Sequence, residues 1–273
     1  MRRDPASAGI FGWPVAHAKS PVIHRFWLGK LGLDGDYGRF PVNPDDLGAA
    51  IRALPALGLR GVNITVPHKI AVIAHLDAVS ASARAMGAVN TVTVDDAGRL
   101  HGANTDVDGI VEAVRHLDLA GRRVVIAGTG GAARAALAAT VTAAASAVTV
   151  LARDAAKATA LLPGAGVVGS VMGFADDWGG DDVGLFFNAT TLGMTGQPPL
   201  PVDLGGLSDA ATVFDAVYVP LETPLLAAAR ARDLAVIDGL QMLIGQAATA
   251  FAAFYGLAAP RAFDAELRTL LMA

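Results

Sequence analysis

The sequence predicts an α/β protein of two α/β domains, the second a doubly wound Rossmann-type nucleotide-binding sheet, with C-terminal helices returning to the first domain. Three observations predict it. Short apolar or β-branched runs alternate with helical spacings along the chain, the pattern of helices layered on sheets. A glycine-rich turn, Gly128-Thr129-Gly130-Gly131-Ala132-Ala133, stands directly between a strand and a helix. The 273 residues, 53% hydrophobic and 17% charged, are enough for one large or two ordinary domains with a substantial core.

Residues 8–13 read as a strand, and residues 21–31 as a helix with Ile23, Phe26, Trp27 and Leu31 on one side. Residues 37–42 are strand-like. Residues 45–54 follow as a helix with Asp45 and Asp46 in its first turn, where carboxylates suit the helix dipole. Residues 61–66 make a short buried strand ended by Pro67. Residues 89–94 and 100–104 bracket Asp95-Asp96-Ala97-Gly98, a hairpin signal. From Asp106 a helix carries Ile110, Val111 and Val114 on one face, and residues 123–127 form the strand that runs into the glycine turn. The progression continues with a helix from Ala132, a strand at 148–151, a helix at 155–162, strands at 183–188 and 212–216, a helix at 224–232 and a strand at 235–237. Residues 239–254 are helical, and 261–271 form a last amphipathic helix. The expected domains are 1–105 with 239–273, and 106–238.

Several classes of function are excluded. The net charge is −4 and no run of Lys or Arg forms a stripe, so a nucleic-acid partner has no electrostatic footprint. Without cysteine there are no disulfides, thiolate nucleophiles or thiolate metal sites, and no two of the six histidines have a metal-binding spacing. Met1-Arg2-Arg3-Asp4-Pro5 has no apolar run behind it, so no secretory leader is expected and the protein is placed in the cytoplasm. Residues 135–152 carry no charge, but they are mostly Ala, Thr and Val with Ser146 in the middle. A small-residue helix feeding a β-branched strand explains them better than a membrane span.

The glycine turn fits G-x-G-x-x-A: Gly128 permits the tight turn, Gly130 lets backbone N–H groups approach a pyrophosphate, and Ala133 lets the helix pack on the strand. At the end of the next strand, an acidic residue would hold the free ribose of NAD and an arginine the 2′-phosphate of NADP. Here the chain reads Leu151-Ala152-Arg153-Asp154; Arg153 favours NADP, and Asp154 either repels phosphate or caps the helix from Ala155. A second set of motifs precedes this one: Asn63-Ile64-Thr65-Val66-Pro67-His68-Lys69, Gly87-Ala88-Val89-Asn90-Thr91 and Asn104-Thr105-Asp106. They supply an ammonium, a carboxylate, carboxamides and hydroxyls, the groups needed to hold a polyhydroxylated ring and pass a proton to one of its oxygens. A lone lysine at a strand end is usually surface charge; the company of Asp106 and Asn90 argues for more. His17, His24 and His68 are rival acid–base groups and read as structural or peripheral. A hydroxyl-binding site next to a dinucleotide site suggests a dehydrogenase.

These motifs, taken in order over nearly the whole chain, resemble those of the shikimate dehydrogenases. The others are Gly12-Trp13-Pro14-Val15-Ala16-His17-Ala18-Lys19-Ser20-Pro21, Asn188-Ala189-Thr190-Thr191-Leu192-Gly193-Met194, Phe214-Asp215-Ala216-Val217-Tyr218 and Asp238-Gly239-Leu240-Gln241-Met242-Leu243 with Gln246. The resemblance implies NADP-dependent reduction of 3-dehydroshikimate to shikimate, with Lys69 and Asp106 as the catalytic pair. It implies that Ser20, Asn63, Thr65, Asn90, Tyr218 and Gln246 hold the substrate, and that residues 1–105 with 239–273 form the substrate domain. It implies that Gly128, Gly130, Gly131, Ala132, Arg153, Thr190, Met194, Val217 and Gly239 hold NADP on residues 106–238, with no metal. The protein is expected to act on a small molecule as a monomer or homodimer, without nucleic acid or membrane. Two positions depart from the family pattern: Ala18 replaces a serine expected on the substrate carboxylate, and Ala152-Arg153-Asp154 keeps only the arginine of Asn-Arg-Thr. A quinate or quinate/shikimate dehydrogenase using NAD or NADP is the alternative, and a non-catalytic dinucleotide-binding regulator the remote one.

Overall fold

The computed structural model describes residues 6–164 and 166–272; Met1-Arg2-Arg3-Asp4-Pro5, on which the expectation of no leader rests, lies outside them. The chain separates into two compact units, Met1–Asp106 with Ile244–Ala273, and Val107–Leu243. The first contains β1 (Ala6–Gly12), α1 (Ser20–Leu31), β2 (Gly35–Pro41), α2 (Leu47–Ala53), β3 (Gly61–Ile64), β4 (Ala78–Val79), α3 (Ala81–Met86), β5 (Thr91–Val94) and β6 (Leu100–Ala103). They build a six-stranded sheet in the order β2-β1-β3-β5-β6-β4. Its β1 is parallel to β2 and β3, whereas β5 is antiparallel to both β3 and β6. All four residues of β3 are buried, as a strand covered on both faces requires. On one side lie Phe11, Leu47, Ile51, Leu54, Ile64 and Val72. Each such side chain contributes roughly 1.5–3 kcal/mol on burial.

Two departures from expectation have local causes. The helix expected at 45–54 opens as a 3₁₀ turn at Pro44–Asp46, because Asn43 accepts the Asp45 N–H at 3.1 Å, and only then becomes α2. The pieces β4 and α3 have no counterpart in the sequence reading. A two-residue strand has no periodicity, and the six-residue α3 is set by its Ser80 cap, which accepts from Ala83 N.

The second unit runs through α4 (Asp106–Val114, whose first residue belongs to the first unit), β7 (Arg123–Ala127), α5 (Gly131–Thr142), β8 (Ala147–Leu151), α6 (Ala155–Thr159), β9 (Val168–Met172), β10 (Val183–Asn188), β11 (Thr212–Asp215), α7 (Pro224–Arg230) and β12 (Ala235–Ile237), then enters α8 (Gly239–Tyr255). The last helix, α9 (Asp264–Met272), belongs to the first unit. The second sheet is parallel throughout, in the order β12-β11-β10-β7-β8-β9. From β7 the chain winds outward through β8 and β9, then returns to place β10 on the other side of β7. That reversal is a topological switch point, where ligands bind beyond the carboxyl ends of the strands. The uncharged stretch 135–152 is the body of α5 followed by β8, and the buried Ala133, Ala135, Ala136 and Ala139 seat the helix on the sheet. Among the described residues no helix is long and apolar enough to cross a membrane. Strand β9 escaped the sequence reading because Val168, Gly169 and Ser170 are all exposed, so no alternation marks it.

Candidate active site

In the first unit, the turn after β3 carries Lys69 and the start of α4 carries Asp106. The Lys69 carbonyl accepts Val89 N–H at 2.8 Å, which ties this turn to the segment leading into β5. Asn104 Oδ1 accepts the Asp106 N–H at 3.0 Å while Asn104 Nδ2 donates to Ala88 O at 3.0 Å, so the helix start is pinned to the same segment. Lys69 Nζ lies 2.5 Å from Asp106 Oδ2, with side chains 19% and 7% exposed. The other carboxylate oxygen, Oδ1, accepts Asn90 Nδ2 at 2.9 Å. Asn90 Oδ1 in turn accepts Thr105 N–H at 2.7 Å and the Thr91 hydroxyl at 2.9 Å. Each carboxylate oxygen therefore has its own charged or carboxamide donor, which fixes the plane of Asp106 and the position of the ammonium beside it. The Thr105 hydroxyl reaches Gln246 Oε1 on α8 at 3.4 Å, joining Gln246 to the same set.

Asn63, on β3, is 5% exposed, with both N–H groups and one oxygen lone pair engaged. Its Nδ2 donates to Asn90 O at 3.2 Å and Thr91 Oγ1 at 3.0 Å, and its Oδ1 accepts the Tyr37 hydroxyl at 2.6 Å. Ser20, the first residue of α1, is 5% exposed. Thr65 follows β3, half-buried, with its N–H on Phe11 O at 2.9 Å. Thus Asn63, Asn90, Lys69, Asp106 and Gln246 fall within one polar network or its immediate neighbours, and Tyr218 stands in the second unit beyond β11. Among the rival histidines, His68 is buried with Nε2 2.8 Å from Val42 O, and His17 is exposed. His24 is sealed among Trp27, Tyr37, Phe251, Phe254 and Tyr255, and burial holds its pKa down to about 3. Tyr37 and Arg39 were missed in the sequence, where residues 37–42 read only as a strand. Arg39 donates from Nε and Nη2 to the buried Ala18 carbonyl at 3.0 and 2.6 Å and so holds the loop before Ser20. No spacing or motif marks either residue; their partners lie on other elements.

In the second unit, the loops after β7 and β10 meet at the switch point. Gly128 has φ +114°, a region L side chains rarely adopt, and a Cβ there would sit 3.0 Å from Thr190 Cγ2. Gly130 differs: its φ is −82° and no atom lies within 4 Å of where a Cβ would stand. Nothing inside the protein requires glycine at 130, but a Cβ would fill the space in front of the α5 N-terminus, where Gly131 and Ala132 begin the helix. A pyrophosphate laid against backbone N–H groups fits that cradle. Arg153 is exposed just past β8. Asp154 caps α6, accepting Lys157 N–H at 3.1 Å, and that bond holds its carboxyl below the usual range. Of the two roles open to Asp154, the structure shows the cap.

A buried carboxyl organises the loops after β10 and β11. Asp215, at the end of β11, accepts Asn188 Nδ2 at 2.9 Å and Val217 N–H at 3.0 Å on Oδ1, and the Thr223 hydroxyl at 2.6 Å on Oδ2. Burial raises its pKa against those bonds. Asn188 Oδ1 accepts both the N–H and hydroxyl of Thr190, and Thr190 Oγ1 accepts Leu192 N–H, which shapes the loop toward Met194. Gly239 opens α8 where a Cβ would lie 2.5 Å from Ala216 O and 2.6 Å from Val217 O, so only glycine allows that approach.

Residues 10–92 match the family model described as the shikimate dehydrogenase substrate binding domain. The chain is 46% identical to the shikimate dehydrogenase (NADP(+)) of Rhodospirillum rubrum, over 94% of each protein. It is 47% identical to that of Sphingopyxis alaskensis, over 97% of each. Among solved structures, it is similar to the shikimate 5-dehydrogenase of Thermus thermophilus in complex with NADP(H) and shikimate, with a TM-score of 0.87, 35% identity, and coverage of 97% of this chain and 99% of that one.

Proposed function

This chain belongs to the shikimate dehydrogenase family, and on that premise we propose that it catalyses the reversible NADPH-dependent reduction of 3-dehydroshikimate to shikimate. The observation that carries the mechanism is the 2.5 Å contact of Lys69 Nζ with an Asp106 carboxylate whose second oxygen is held by Asn90. NADPH supplies the hydride that adds to the carbonyl carbon and leaves as NADP⁺. Lys69 gives the proton that the carbonyl oxygen needs as its electron pair develops, and takes it back in the oxidation direction. Asp106 orients the ammonium and stabilises its charged form. Asn63 has both N–H groups committed, so it meets substrate through the remaining lone pair of Oδ1 and accepts from a ring hydroxyl. Ser20, Thr65, Asn90, Tyr218 and Gln246 complete the substrate set. Gly128 to Ala132, Arg153, Thr190, Met194, Val217 and Gly239 receive NADP, with Arg153 on the 2′-phosphate. The setting is the cytoplasm, with the protein a monomer or homodimer acting on this small molecule.

Ala18 favours a second reading. It replaces a serine expected on the substrate carboxylate, and the smaller side chain suits the extra hydroxyl that quinate carries beside that group. Initial rates with shikimate and quinate, each with NADP⁺ and NAD⁺, decide between them. The highest kcat/KM is expected for shikimate with NADP⁺; a higher value for quinate would overturn the assignment.

A further inference from the structure

We propose that Tyr37, a residue outside the substrate and cofactor sets, is a positioning residue that holds Asn63 in its substrate-binding geometry. This rests on the function proposed above. Tyr37 sits on β2 opposite Ala8 of β1 and has no exposed surface. Its ring stacks on His24 with centroids 4.1 Å apart and planes 13° from parallel, and Phe254 flanks it at 6.4 Å. Neither nitrogen of His24 has a hydrogen-bond partner, so His24 offers the phenol a flat face and no competing bond. The ring is thereby fixed in an apolar wall, and its hydroxyl is aimed at Asn63 on β3.

The hydrogen-bond count gives that hydroxyl a defined role. A phenol has one proton and two lone pairs. Its proton goes to Asn63 Oδ1 at 2.6 Å. Burial keeps the phenol protonated far above neutral pH, so it remains a donor throughout the working range. Asn63 spends both N–H bonds on Asn90 O and Thr91 Oγ1, and these two bonds with the Tyr37 bond leave the carboxamide no freedom to rotate. One Oδ1 lone pair stays available to a substrate hydroxyl.

The test uses the full-length enzyme and steady-state oxidation of shikimate. Lack of wild-type activity with shikimate would overturn the proposed function rather than this inference. Against an active wild type, Tyr37→Phe keeps the stacked ring and removes one oxygen. It is expected to raise KM for shikimate roughly three- to tenfold, the effect of one well-made hydrogen bond. Turnover and KM for NADP⁺ should stay within about twofold, because the contact is present in ground and transition states alike. In an Asn63→Ala background, where the acceptor is gone, adding Tyr37→Phe should raise KM by less than it does alone. An unchanged or lowered KM for shikimate in the single variant would overturn the inference. So would parallel losses in kcat and in KM for both ligands, the mark of a structural defect, or full multiplicativity of the two substitutions.

Discussion

In the proposed mechanism Lys69 gives the proton to the carbonyl oxygen, and its surroundings set what its removal should do. The ammonium is partly open and its anchor, Asp106, is held from the other side by Asn90, so Lys69→Ala leaves a carboxylate that still has a partner. Folding and NADP⁺ affinity should survive, while kcat falls roughly 10²–10⁴-fold, the span for losing a positioned acid–base group. Near-normal kcat in this variant would remove Lys69 from the mechanism. Arg153 is read the same way. It is exposed, its neighbour Asp154 caps α6, and in the proposed function its guanidinium meets the 2′-phosphate. Arg153→Ala should raise KM for NADP⁺ about tenfold or more and leave KM for NAD⁺ nearly unchanged, since a charge-assisted bond is worth roughly 1.5–3 kcal/mol. Equal losses with both cofactors would make it a bystander.

At the scale of elements, the turn from β7 into α5 separates two reasons for a glycine. Gly128 is required by its own backbone, at φ +114° against Thr190. Gly128→Ala should therefore destabilise the protein itself, by about 1–3 kcal/mol in chemical denaturation. Gly130 has ordinary φ and open space, so Gly130→Ala should fold with wild-type stability yet bind NADP⁺ at least tenfold more weakly, measured by calorimetric titration. Loss of stability at 130, or unimpaired binding, would show that the cradle is not where the pyrophosphate lies. The strand–glycine–helix order here was legible in the sequence, because a turn, a strand and a helix are local events. Strand β9 and the short β4 were not. Their residues are exposed or too few to alternate, and only pairing with β8 and β6 makes them strands.

For the molecule as a whole, His24 couples stability to pH. Of its ring neighbours, Trp27 and Phe251 cannot titrate, and Tyr37 and Tyr255 have pKa values pushed up by burial. Burial lowers the His24 pKa from 6.5 to about 3, so the native state disfavours its charged form. Its contribution is present above pH 6.5 and is lost as pH falls through the window toward 3, by about 2 kcal/mol at pH 5. Urea midpoints at pH 7.5 and 5.0 should show a smaller drop for His24→Phe than for wild type; equal drops would sink the idea. The sequence by itself determined the fold class, the glycine turn and the motifs bearing Lys69, Asn90 and Asp106. Periodicity, turn chemistry and residue type act over a few positions and can be read there. Only the tertiary structure decided that one Asp106 oxygen meets Lys69 and the other Asn90, and that Tyr37 stands behind Asn63. Those assignments depend on directional bonds between strands and turns up to 37 residues apart, and hydrogen-bond geometry is set by how sheets and helices pack, not by the order of residues along the chain.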